Sequence, residues 1–181
     1  MHMLCSKFSL MKGMKAILPI ALSSVRNKNT LDILSNFMFK ASTNNTVELV
    51  ATNLEETIKY YIYDSKVIEN GQIILPAKKF IDIIKTILDT DKIDIAINNG
   101  KSIDIKTNTS TFNLLGISGA TYPNIVDFPS KDTLSINKTC FINALKKTMF
   151  SMEKESKRSI LNSTYLIVRH NVLELVTTDA K

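Results

Sequence analysis

Val47–Glu55 reads VELVATNLE, and Leu173–Lys181 reads LELVTTDAK. Each is an apolar residue, then Glu-Leu-Val, one variable position, Thr, and Asn or Asp. Apolar side chains at alternate positions have the period of a strand with one buried face. The Thr-Asn/Asp pair that follows is turn chemistry. The residues upstream repeat in the same order. Leu10, Met11, Met14, Ile17, Leu18, Ala21 and Val25 fall at helical spacing and predict a helix over Lys12 to Ser24, which Pro19 should bend or shorten. A polar loop follows, then Ile33-Leu34, the strand-like NFMFKAS, an Asn44-Asn45 turn and TVELVAT.

The second series starts with TLSIN, a predicted strand, and a helix marked by Phe141, Ala144, Leu145, Thr148 and Met152. A charged loop over Glu153–Arg158, Ile160-Leu161, the strand STYLIV and LELVTT complete it. Fourteen positions separate Ile33 from Val47, and thirteen separate Ile160 from Leu173. Order and spacing together read as a repeated domain, with the sequence stopping inside the second copy.

Between the copies, TIKYYIYD and QIIL read as strands, with Gly71 between them. Pro76 suits the first turn of a helix whose buried stripe is Phe80, Ile83, Ile84 and Ile87. KIDIAI and SIDIKT alternate on either side of Asn98-Asn99-Gly100, a hairpin signal, and STFNLLGI is a further strand. The period then fades through SGATYPNIVDFPSKD. The expected fold class is α+β, with a first domain over 1–125, a linker over 126–131 and the N-terminal part of a second domain over 132–181.

The chain has 181 residues, 44% of them hydrophobic, and 23 basic against 17 acidic residues, a net charge of +6. That balance admits nucleic acid as a partner. The longest apolar run, Ala16 to Leu22, is too short to span a bilayer, and no signal peptide is legible, so a cytoplasmic location is expected. Cys5 and Cys140 are two lone thiols without motif spacing, which suits a reducing compartment. Met1-His2-Met3 is compatible with a cloning scar.

On helical wheels, Lys12 and Lys15 lie opposite Met14 and Ile17, and Lys78 and Lys85 lie opposite Phe80, Ile84 and Ile87. Lys146 and Lys147 flank the point opposite Phe141 and Leu145. Lysine solubilises any exposed helix, but three faces biased to one sign, with Asp82 the main exception, suit phosphates. Ammonium groups are point charges without the bidentate fork that reads bases, so such binding would ignore sequence.

No catalytic constellation is present. Gly116-Ile117-Ser118-Gly119-Ala120 has alanine where a nucleophile elbow needs its last glycine. Two histidines, His2 and His170, cannot supply a paired metal site, and a chain with five glycines has no phosphate-cradling loop. Neither a cofactor nor a metal is expected. Tyr60, Tyr61 and Tyr63 fit a sheet surface better than a base-stacking platform.

With these residues assembled, the chain resembles the bacterial sliding clamps, the beta subunits of DNA polymerase III. Asn29 to Asn36 is similar to the family's Thr-Leu-Pro-Ile-Leu-x-Asn stretch, Leu49 to Glu55 to its Leu-x-x-Thr-Asp-Leu-Glu, and Leu75 to Phe80 to its Pro-Ala-Arg-Lys-Phe. Tyr122-Pro123-Asn124, Phe150-Ser151-Met152, Arg158, Ile160-Leu161-Asn162 and Thr177-Thr178-Asp179 follow in the family's order.

The resemblance implies clamp-fold domains, each with two helices packed on antiparallel sheets, and a head-to-tail homodimeric ring around duplex DNA. It implies a non-catalytic processivity factor that tethers a replicative polymerase and is handled by a clamp loader and repair proteins. Carried over by residue, Lys28 stands where the family has a DNA-contacting arginine, beside the helix lysines 12, 15, 78, 85, 146 and 147. Glu155 and Ser159 stand where well-studied members have a DNA-touching glutamine and tyrosine. Arg158, Leu161 and Thr178 fall at the partner-binding pocket, and Ile83, Ile87 and Leu114 at the subunit interface. The resemblance also implies that this is a clamp fragment, with the second domain cut partway. The alternative is a self-contained basic α+β nucleic-acid-binding module. A small hydrolase using Ser118 is disfavoured by Ala120.

Overall fold

A computed structural model describes residues 1–26, 32–88, 92–125, 133–153 and 158–180. The chain divides into two compact units, Met1–Val126 and Asp127–Lys181.

In the first unit the chain runs β1 (His2–Cys5), α1 (Lys7–Arg26), a 3-10 turn (Asp32–Ser35), β2 (Asn36–Ser42), β3 (Thr46–Thr52), β4 (Thr57–Ile62), β5 (Ser65–Glu69) and β6 (Gly71–Pro76). It continues through α2 (Ala77–Thr86), β7 (Ile93–Asn98), β8 (Ser102–Lys106), β9 (Thr111–Leu115) and β10 (Ile117–Ser118). The strands form two five-stranded sheets, ordered β5-β1-β7-β8-β9 and β10-β6-β2-β3-β4, and every pairing is antiparallel. One core takes side chains from both sheets and both helices. At its centre Phe37 and Phe39, on one face of β2, meet Phe80 of α2 with ring centroids 5.3 and 5.7 Å away.

Alternation sets the sheets. Phe37, Phe39 and Ala41 are buried while the residues between them are half-buried. Gly13 lets α1 settle on β3 and β4, since a Cβ there would lie 2.6 Å from Leu49 Cδ1 and 3.0 Å from Tyr60 Cδ1. The helix starts earlier than its apolar spacing predicts. Ser6 caps it, its Oγ accepting from Ser9 N at 3.1 Å. It also runs through Pro19, which sits on the exposed side.

Met1-His2-Met3 is no appendage. His2–Cys5 is an inner strand between β5 and β7, with Met3 and Cys5 in the core. Tyr122, at the start of the aperiodic stretch, is docked rather than loose. It packs with Val50 and Ile74 on the other face of the second sheet, its hydroxyl 3.3 Å from the carbonyl oxygens of both Asn36 and Val50. Burial pushes that hydroxyl up to about 12.

The second unit holds α3 (Lys138–Thr148), 3-10 turns at Met149–Ser151 and Ser159–Asn162, and the hairpin of β11 (Tyr165–Arg169) and β12 (Val172–Val176). It repeats the first unit in detail. The Ile33-Leu34 and Ile160-Leu161 pairs both lie on 3-10 turns that precede a hairpin. Thr52 Oγ1 accepts from Leu54 N at 3.1 Å, and Thr178 Oγ1 from Ala180 N at 3.0 Å. Leu54 and Ala180 both take left-handed backbone, φ +76° and +62°. The repeated phrase therefore makes one turn twice.

TLSIN is not a strand, contrary to expectation: residues 133–137 carry no regular structure. Its counterpart β1 is held by β5 and β7, and neither has a counterpart among the described residues of this unit. No described residue of the second unit is buried. The 126–131 stretch expected as a linker lies outside the described residues.

Two outcomes are expected. Phe80→Ala, which removes the ring shared by β2 and α2, lowers stability by about 3–5 kcal/mol in urea unfolding of the chain. A loss under about 1 kcal/mol would mean the aromatic cluster is not the centre of this core. The second concerns Asp64, which accepts hydrogen bonds from Ser9 Oγ at 2.6 Å and Ser6 Oγ at 3.1 Å, holding its carboxyl below the usual 3.8. A lowered folded value contributes stability that is complete above 3.8 and is lost as pH falls through the folded value. The stability gap between wild type and Asp64→Asn is therefore largest near neutrality and closes below pH 3.8. A gap unchanged with pH would contradict this.

Candidate nucleic-acid interface

Helix α1 buries Leu10, Met14, Ile17 and Ala21 completely and leaves Phe8, Lys12, Lys15 and Pro19 exposed. At 100° per residue those four lie on one stripe. The apolar side is fixed by the core, so the lysine side has nowhere to turn but outward. Helix α2 behaves likewise. Phe80, Ile81 and Ile84 are buried, and Lys78, Lys79, Asp82 and Lys85 are exposed. Asp82 pairs with Lys85 at 3.6 Å, one turn apart on the surface. Such a pair is worth little in water and leaves the face basic.

The helices pack against each other. Lys7 Nζ donates to the Ile87 carbonyl at 2.7 Å, bringing the N-terminal end of α1 to the C-terminal end of α2. Lys12, Lys15, Lys78 and Lys85 therefore all stand exposed on one helix pair. Lys79 joins them, although its wheel position, about 100° from Lys78, gave no reason to single it out. Lys28 lies outside the described residues.

In the second unit Lys146 and Lys147 are exposed at the last turn of α3. Asn137 caps this helix, its Oδ1 accepting from Thr139 N and Cys140 N at 3.0 and 3.1 Å. Within the residues expected at a partner pocket, Arg158 and Thr178 are exposed and Leu161 is half-buried. Leu161 N donates to the Arg158 carbonyl at 3.0 Å, so these two share one turn. A cleft of about 300 Å³ in this unit lies between Leu134–Asn137 and the hairpin residues Val168 and His170–Leu173. Ser159 is exposed, and Glu155 lies outside the described residues.

Ile87 and Leu114, expected at a subunit interface, are 4% and 7% exposed and belong to the unit's own core, with Ile83 packed against it. The residues that follow them, Leu88 and Leu115, are each 74% exposed. Leu115 ends β9, whose sheet partner among the described residues is β8 alone. Tyr60 packs beside Gly13, whereas Tyr61 and Tyr63 stack on each other at the surface, centroids 6.3 Å apart. No helix of the described residues is long and apolar enough to cross a membrane.

Comparison with known proteins gives this geometry a family. A family model described as the N-terminal domain of the DNA polymerase III beta subunit matches residues 1–126. The beta sliding clamp of Vibrio cholerae is 29% identical over 150 residues, covering 83% of this chain and 40% of the relative. That of Pseudomonas putida is 26% identical over 179 residues, covering 99% and 47%. Among solved structures, the DNA polymerase III subunit beta of Pseudomonas aeruginosa superposes with a TM-score of 0.88 at 25% identity, again covering 99% of this chain and 47% of the other. The chain thus spans about half the length of the curated relatives it matches. By fold and by sequence, it belongs to the DNA polymerase III beta subunit family.

Proposed function

We propose that this chain supplies a DNA-facing part of a sliding clamp, a processivity factor without catalysis of its own that keeps a replicative polymerase on its template. The observation that carries this reading is the outward lysine face on α1 and α2, fixed by two helices whose opposite sides are core. Exposed ammonium groups attract phosphate through water and salt at any sequence. Weak contact of that kind lets a duplex slide, and tethering raises the polymerase's effective concentration at the primer end.

The domains are taken as 1–125 and 132–181, joined by 126–131. Lys28, by family resemblance, is assigned to DNA contact with the first domain, and Lys146 and Lys147 to DNA contact with the second. Arg158, Leu161 and Thr178 form one side of an apolar pocket for short motifs of polymerase, clamp loader and repair proteins. Head-to-tail pairing of two subunits uses the edge of β9, the outermost strand of its sheet among the described residues. There Leu115 presents apolar surface, while Ile87 and Leu114 lie in the domain's own core with Ile83 packed against it. Such a protein works on the nucleoid in the cytoplasm.

The test is the salt dependence of duplex binding. Two duplexes of unrelated sequence bind this chain equally, and affinity falls as salt rises. Lys12→Ala with Lys15→Ala weakens both duplexes alike and reduces the slope of log K against log salt by about 2. A preference for one duplex, or a slope unmoved by the double substitution, would overturn the reading.

A further inference from the structure

Phe8 is 76% exposed on α1, in the same row as Lys12 and Lys15. The three side chains leave the helix within about 60° of one another. Leu88, 74% exposed, follows the residue whose carbonyl accepts from Lys7 Nζ, so both apolar groups stand at one end of the helix pair. An aromatic ring open to water amid lysines adds nothing to phosphate attraction, yet an aromatic side chain beside cationic ones on one surface is what unpaired nucleic acid binds.

We propose that Phe8 is a stacking platform for unpaired nucleobases, so that the α1 face holds single-stranded DNA as well as duplex. Lys12 and Lys15 take the backbone phosphates, and the Phe8 ring covers a base that has no partner. In duplex DNA the bases stack on one another, and the ring has nothing to cover. Charge favours nucleic acid over an apolar peptide as occupant. Lys12, Lys15, Lys78, Lys79 and Lys85 are exposed on the two helices against one exposed acid, Asp82, which already pairs with Lys85. The proposal rests on the reading that this helix face meets DNA.

The chain contains no tryptophan, so Phe8→Trp places a single indole at the platform. Its fluorescence is expected to fall as oligo-dT is added and to stay nearly constant with a blunt duplex. In anisotropy titrations, Phe8→Ala weakens oligo-dT binding about five-fold or more and leaves duplex binding nearly unchanged. Because Phe8 is exposed, neither variant threatens the core. An indole indifferent to oligo-dT, or a Phe8→Ala variant that binds it as wild type does, overturns the proposal. So does an effect confined to self-association in sedimentation, which would assign the patch to a protein partner. The two readings fail separately. Loss of binding in Lys12→Ala/Lys15→Ala with no effect of Phe8→Ala sinks the stacking alone, whereas no effect of the lysine pair sinks the helix-face reading beneath it.

Discussion

The seating of α1 on the second sheet governs what the lysines can do. Gly13 meets Leu49 and Tyr60 at a distance that leaves no room for a methyl group. That contact sets how closely the helix approaches the sheet. With Leu10, Met14 and Ile17 turned into the core, Lys12 and Lys15 must face out, whatever else the surface does. Ser6 and Asp64 secure the near end of the same helix through Ser9, and Lys7 ties it to α2. The basic face is thus a consequence of apolar packing on the far side of the helix. A row of ammonium groups on flexible stems can attract phosphate without gripping a base, which is the physical requirement for a duplex that must move.

The second unit shows how far a repeated sequence carries a repeated structure. Its 3-10 turn, hairpin and Thr-centred turn reproduce those of the first, down to the left-handed residue two places after the threonine. What differs is cover. By strand register, Leu166 and Val168 correspond to Phe39 and Ala41. The latter pair is 0% and 2% exposed, the former 49% and 55%. Local chemistry sets the turn and the pairing, but burial needs the surrounding strands. In the first unit β4 and β6 flank the equivalent hairpin.

Much of this was legible in the sequence for the same reason. β2, β7 and β8 alternate cleanly because one face is more deeply buried, and Asn98-Asn99-Gly100 announces its hairpin. β1 was not legible. Met-His-Met has no β-branched residue, and only its insertion between β5 and β7 makes it a strand. Apolar spacing started α1 at Lys12, which hid Phe8 from the lysine row, although Ser6 three positions before Ser9 was the available cap signal. Periodicity placed Ile87 on the apolar side and the family resemblance placed Ile87 and Leu114 at an interface, yet neither distinguishes a residue facing its own core from one facing another subunit. That distinction needed the fold, which puts Leu88 and Leu115 outside them.

The most direct test of the central claim is to follow every lysine at once. Methylating the ε-amines with a carbon-13 label and titrating duplex DNA in NMR reports which ammonium groups meet phosphate. The account predicts progressive shifts at Lys12, Lys15, Lys78, Lys79 and Lys85, the same for two duplexes of unrelated sequence. Shifts confined to lysines of the sheets, such as Lys40 of β2 and Lys106 of β8, with α1 and α2 silent, would contradict it.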